Sequence, residues 1–363
     1  MSNNIEAQIR SMGPKQMKKA VARVMSAGLV AFMKGSPGIG KSSIVRALAE
    51  EFNLKVIDHR LSTSAPEDLS GLPHFDEDGS AVFAPFADLF PLEGCSLPIK
   101  QIIKKKDGGP DVVDRYDGWL LFLDEFNSAH KDVQAAAYKL VLDKMTGQHK
   151  LHERVIIVCA GNKDTDRAIV NKIGTAMQSR VITLELDVSF EEWLTEVALP
   201  NNYDGRIIAY LSMYPAKLMD FKPDHEGNTF CCPRTWEFMN SLILNEEVTA
   251  MDAPLFGGTI SASTAVEFIS FCQLYKQLVT IGEILKDPKS ALIPPDNALK
   301  WSTITHLFEK TDKDNIDDVV TYILRYPSTF QVLFLRGLRV RKPELQSTKS
   351  YARGAAAIGK YLF

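Results

Sequence analysis

Residues 35–42, GSPGIGKS, fit the pattern G-x-x-x-x-G-K-[ST] and constrain this chain more than any other stretch. The residues before them, LVAFMK (29–34), read as a buried strand, and SSIVRALAEEF (42–52) reads as a helix leaving the loop. Strand, glycine-rich loop and helix together make a phosphate cradle, where the octapeptide alone could be a chance glycine-rich turn. Gly35, Gly38 and Gly40 allow the backbone to wrap closely, so that N–H groups converge on phosphate oxygens. The helix presents its positive N-terminal end to the same anion. The binding candidates are Gly35, Pro37, Gly38, Ile39, Gly40, Lys41, Ser42 and Ser43. Lys41 would reach the β- and γ-phosphates, and Ser42 would hold Mg²⁺.

A cradle of this kind needs a parallel sheet, and the apolar runs supply one. LKVIDHRL (54–61), WLLFL (119–123), VIIVCA (155–160) and VITLEL (181–186) read as four further strands. Helical spacing between them, as in AHKDVQAAAYKLVLDKM (129–145) with Val133, Ala137, Leu140 and Val141 on one side, indicates an α/β layer. Gly13-Pro14 opens an earlier helix after a polar lead-in at residues 1–13. Residues 74–118 are less regular and hold the cluster Lys104-Lys105-Lys106 and the turn 107–110. Beyond residue 189 the strand signal fades, and FEEWLTEVAL, RIIAYLSMY, RTWEFMNSLIL and TAVEFISFCQLYKQL all read as helices. The expected division is a core at 1–188, a helical region at 189–290 and a further helical region at 291–363, broken near KDPKSALIPPDNA.

The 363 residues carry a net charge of −3, so no global field draws the chain to nucleic acid or acidic lipid. The five cysteines are scattered without a CxxC pair, which suits a reducing compartment. No run approaches the ~18 apolar residues of a membrane span, and the start shows no signal peptide. A soluble cytoplasmic protein is expected. His149 and His152 lack a nearby third ligand, which speaks against a metal site there.

Three further elements carry chemistry. LFLDEF (121–126) places Asp124 and Glu125 at a strand's carboxyl end, where open α/β sheets bind ligands. Asp124 would help to hold Mg²⁺, and Glu125 would polarise the attacking water; the alternative is a solvated helix cap. Asn162, in CAGN after the fourth strand, can touch a γ-phosphate without adding negative charge, where the alternative is a self-capping turn. Arg180 precedes the fifth strand, and Arg234 opens a later helix. Either could stabilise transition-state charge or form a surface ion pair, and spacing does not choose.

These elements in this order resemble an AAA+ ATPase, and within it the MoxR branch in the stand-alone form of bacteria and their phages. The resembling stretches are GSPGIGKS, DHRLSTSAPEDLSGLP, LLFLDEFNSAHKDVQAAAYKLVLDK, HKLHERVIIVCAGN through DTDRA to MQSRV, and FCCPRTWEF. The resemblance implies a P-loop NTPase parallel-sheet core, an all-α lid and further C-terminal helices. It implies ATP and Mg²⁺ as ligands, with Lys41, Ser42, Asp124, Glu125 and Asn162 in the roles above. Arg180 becomes an arginine finger acting on a neighbouring subunit's ATP, with Arg167 as a second candidate, and Arg234 a sensor on the lid. Residues 73–84 and 145–154 become an insert and a hairpin facing the pore of a homo-hexameric ring, with Phe83 or Phe86 as possible substrate contacts or plain core. Family members remodel protein clients and often work with a von Willebrand factor A domain protein. Two other classes stand beside this reading: a nucleic-acid motor or packaging factor, for which no basic aromatic stripe is present, and a slow nucleotide-gated scaffold. Neither a membrane nor a nucleic-acid partner is expected.

Overall fold

A computed structural model describes residues 11–86, 88–104, 112–166, 171, 173–225, 227–275 and 281–359. Arg167, Lys105, Lys106 and the turn at 107–110 lie outside the described residues. The chain divides between residues 188 and 189 into two compact units.

The first unit is built on a six-stranded sheet of β1 (Ser11–Met12), β2 (Val30–Lys34), β3 (Leu54–Arg60), β4 (Gly118–Asp124), β5 (Val155–Gly161) and β6 (Val181–Leu186). Their order is β1-β6-β2-β5-β4-β3, and every pairing is parallel. The five apolar runs of the sequence are all strands. β1 is an addition: two residues of the expected polar lead-in, Ser11 and Met12, pair with Glu185 and Leu186. Two residues carry no periodicity, which is why the pattern hides them.

Every residue of β4 is buried, as are four of the five in β2. A strand covered on both faces has no polar side to show, so it reads as a continuous apolar run. The covering helices include α1 (Pro14–Ser26), α2 (Lys41–Glu51) and α3 (Lys131–Asp143). Each turns one stripe inward: Met17, Val21, Val24 and Met25 from α1; Ile44, Val45, Leu48 and Ala49 from α2; Val133, Ala137, Leu140 and Val141 from α3.

Register sets the position of the site. Cys159 of β5 pairs with Phe32 of β2 on one side and Leu123 of β4 on the other. The carboxyl ends of β2, β4 and β5 therefore finish level, and the segments that follow them emerge side by side.

Three antiparallel hairpins leave this core: Leu72–Phe75 with Ala81–Ala84, Ile99–Ile103 with Val112–Arg115, and Met145–Thr146 with His149–Lys150. The first and third touch where His149 Nε2 lies 2.9 Å from the Phe83 carbonyl, and Thr146 Oγ1 of the third donates to the carbonyl of Leu69, in the short helix Pro66–Ser70 that precedes the first (2.8 Å). Gly71 starts the first hairpin at φ +91°, and a Cβ there would stand 2.5 Å from the Ala84 carbonyl, so a side chain is excluded twice over. Phe75, Phe83 and Phe86 are exposed.

The second unit is helical, with no strand among the described residues. Its helices include Gly205–Met213, Pro233–Ile243, Ala262–Tyr275, Asn297–Lys310, Ile316–Ile323, Ser328–Arg341 and Lys349–Ala357. Tyr210, Trp236 and Phe268 pack edge and face at 5.4–5.7 Å, and buried Trp236 Nε1 donates to the Lys217 carbonyl at 2.8 Å. An apolar indole whose one donor is satisfied gives a folded unit a large buried anchor. Among the described residues, no helix is long and apolar enough to cross a membrane.

Candidate functional site

The loop between β2 and α2 needs its glycines for different reasons. Gly38 and Gly40 adopt φ of 75° and 96°, which side-chain-bearing residues rarely take. Gly35 is instead crowded: a Cβ would lie 2.5 Å from Ile39 Cδ1 and 3.3 Å from Leu186. Ile39 is buried and pins the loop from beneath, Pro37 is half-buried, and Ser43 is exposed on the first turn of α2. The N-cap of α2 is Gly40, which has no side chain to occupy the helix's N-terminal end, where the N–H groups and the helix dipole favour an anion. Lys41 Nζ donates to the carbonyls of Gly35 (2.6 Å) and Ser36 (3.1 Å), which holds the ammonium over the loop.

Ser42 Oγ donates to Asp124 Oδ2 at 3.4 Å, across the gap between α2 and the end of β4. A hydroxyl and a carboxylate converging this way are hard oxygen donors, the kind Mg²⁺ accepts. The other Asp124 oxygen accepts from the Glu125 N–H at 2.8 Å. Glu125 itself sits in the left-handed region (φ 56°, ψ 32°), a strain of about 1–3 kcal/mol for a side-chain-bearing residue. That turn swings its carboxylate sideways, where Ser62 Oγ donates to Oε2 and Arg60 Nε lies 3.6 Å from Oε1. Sequence reasoning missed both partners, because they belong to β3 and the turn after it and become neighbours only through the β3–β4 register, Arg60 opposite Asp124.

Asn162 follows β5. Its backbone N–H and C=O are both bound by the Asn127 side chain, and its own Nδ2 reaches Ser128 Oγ at 3.3 Å. The next residues clasp the loop before α2: Lys34 pairs with Asp164 (2.9 Å), and Ser36 Oγ donates to buried Asp166 at 3.2 Å. Gly35 N–H donates to the Gly161 carbonyl at 3.1 Å.

Two ionisable neighbours on β3 are shifted. Burial raises the Asp58 carboxyl above its ordinary range, with Asp124 adding to the rise and Arg46 and Arg60 opposing it. Burial pulls His59 below its ordinary value; the residue is 6% exposed and its Nε2 lies 2.9 Å from Ser64 Oγ. Among the described residues, no cluster of three His, Cys, Asp or Glu side chains could hold a metal.

The structure thus brings together Gly35, Gly38, Gly40, Lys41, Ser42, Asp124, Glu125 and Asn162. Arg180 is elsewhere. Val181 pairs with Val30, at the opposite end of β2 from Gly35, so Arg180 is roughly six residues or about 20 Å from the loop along the strand direction. Arg180 is exposed, and its Nη1 donates to the Ala176 carbonyl of its own turn at 3.0 Å. Arg234 is exposed on the first turn of Pro233–Ile243, in the second unit.

Residues 31–183 match the family model described as ATPase family associated with various cellular activities (AAA). This stretch is an AAA ATPase domain. It has the P-loop NTPase fold, and its activity is ATP hydrolysis. The matched residues run from β2 into β6 and contain every residue of the cluster just described. No curated protein matches the chain in sequence. Among solved structures it is similar to a putative ATPase from Cytophaga hutchinsonii, at 14% identity over 99% of this chain and 94% of that one, with a TM-score of 0.34. NtrX from Brucella abortus is similar at 13% identity over 96% and 67%, TM-score 0.33. The Thermotoga maritima RuvB Holliday junction branch migration motor is similar at 14% identity over 96% and 88%, TM-score 0.31.

Proposed function

We propose that this chain is a Mg²⁺-dependent ATPase of the MoxR type, which assembles into a homo-hexameric ring and uses ATP hydrolysis to remodel or mature partner proteins in the cytoplasm. The observation that supports it best is the separation of Arg180 from its own P-loop. An arginine that serves ATP from the far end of the sheet can serve only a neighbour's ATP, so each site would be completed by a second copy.

Within one subunit the residues divide the work. The loop N–H groups, the N-terminal end of α2 and Lys41 bind and orient the phosphates. Ser42 and Asp124 would hold Mg²⁺, which when bound neutralises phosphate charge. Glu125 takes the proton side of the reaction by polarising the attacking water, and Asn162 orients that water against the γ-phosphate. In the neighbour, Arg180 stabilises charge as it develops on the transferred group. Arg234 acts from the helical lid, taken as 189–290, with 291–363 as a further extension. Arg167 remains a second candidate for the contact across subunits. The joined hairpins at 72–84 and 145–150, with exposed Phe83 on the first, are the surface offered to a protein client; a von Willebrand factor A domain protein is the partner class the resemblance favours.

The test is ATP turnover per subunit against protein concentration, alongside native mass. A specific rate that rises as rings form supports the proposal. A monomer with full, concentration-independent turnover refutes it.

A further inference from the structure

Both ends of the Asn127 side-chain amide bond one other residue. Asn127 is fully buried, in the 3-10 turn that follows Glu125. A buried amide must find partners for both its oxygen and its nitrogen. Oδ1 accepts from the Asn162 N–H at 3.0 Å, and Nδ2 donates to the Asn162 C=O at 2.8 Å. The two bonds hold the N–H and the C=O of the same residue, as a neighbouring strand would.

The grip comes where the sheet lets go. The ladder between β5 and β2 ends at Gly161 opposite Lys34, and Asn162 is the first residue beyond it. The space is cut to fit: a Cβ on Gly161 would overlap Asn127 Oδ1. The surrounding bonds extend the same tie. Asn162 Nδ2 reaches Ser128 Oγ (3.3 Å), the Asn127 carbonyl accepts from the Asn171 N–H (2.7 Å), and Asn171 Nδ2 donates to the Ala129 carbonyl (2.8 Å).

We infer that Asn127 is a positioning residue for hydrolysis: it fixes the Asn162 backbone relative to the Asp124–Glu125 turn, so that the amide of Asn162 and the carboxylate of Glu125 meet the same water. This rests on the reading of Asn162 as the residue that contacts the γ-phosphate and the attacking water. Asn127 touches neither. A side chain that only filled the core would be replaceable by its apolar isostere, whereas a backbone clamp needs one donor and one acceptor in this order. Aspartate keeps the shape and the acceptor but turns an oxygen toward the Asn162 carbonyl.

The experiment measures turnover, nucleotide affinity by calorimetry and thermal unfolding on the full chain. The variants are Asn127→Asp, Asn127→Ala, Gly161→Ala, Asn162→Ala and the double variant Asn127→Ala with Asn162→Ala. Turnover should fall about tenfold or more in Asn127→Asp, Asn127→Ala and Gly161→Ala, while nucleotide affinity stays within about threefold of wild type. The double variant should be no slower than Asn162→Ala, since residues acting through one another do not add. Wild-type turnover in Asn127→Asp, losses that multiply in the double variant, or turnover and affinity falling together would overturn the inference. If Asn127→Ala does not fold, Asn127→Asp and Gly161→Ala decide it. Wild-type turnover in Asn162→Ala would instead defeat the reading of the site beneath it, and that outcome is separate because the variant leaves the clamp intact.

Discussion

The two ends of the sheet in the AAA domain are built differently. At the carboxyl end, Lys41, Ser42, Glu125 and Asn162 are each tied to a neighbour from another element or to a loop carbonyl. At the amino end, Arg180 is exposed and reaches back to its own turn. Residues held in place in this way need little rearrangement to do electrostatic work. A long cation left in solvent gains little from a local contact. One end is thus a prebuilt cluster; the other, under the proposed function, would supply the arginine of a neighbour's site.

That contrast can be broken by mutation. Arg180→Ala should lower turnover most, by about 10³-fold if it is a finger, with nucleotide affinity retained; turnover measured on the assembled protein checks it. Glu125→Gln should cost about 10²-fold or more while ATP still binds, because an amide cannot polarise water as a carboxylate does. Wild-type turnover in that variant would move the base elsewhere. Lys41→Ala should weaken ATP binding by at least about tenfold, since an ammonium opposite the phosphates is removed; unchanged affinity in calorimetry would refute its role.

The smallest expected effect concerns acid. Burial and Lys310 hold His306, in the second unit, below its ordinary value of 6.5. The unfolded chain then binds the proton more readily, so this contribution is present above about pH 6.5 and is lost as pH falls through the lowered folded value. His306→Gln should lose less thermal stability than wild type between about pH 7.5 and about pH 5.5. Equal losses would show that its environment in solution is not the one described.

The sequence made legible whatever is local. A glycine loop between a strand and a helix, acidic residues at the end of an apolar run and Asn162 after another each announce themselves within about ten residues. What stayed hidden depends on register. Arg60 and Ser62 look like the end of a strand and a polar turn until β3 sets Arg60 opposite Asp124. Asn127 reads as a spacer between DEF and the next helix, and only the parallel pairing of β4 with β5 brings it to Asn162. Arg180 showed the reverse problem: its position before β6 was clear, but its distance from the P-loop follows from the direction in which β6 runs.

The central claim is that one subunit's Arg180 completes another's site, and mixing two inactive variants tests it most directly. Arg180→Ala keeps an intact P-loop, and Lys41→Ala keeps an intact Arg180. At an ATP concentration too low to fill the weakened Lys41→Ala site, each alone should be inactive. Mixed rings should recover ATP turnover at the junctions where an intact loop faces an intact arginine. No recovery, in mixtures shown by native mass to contain both chains in one ring, would contradict the shared site.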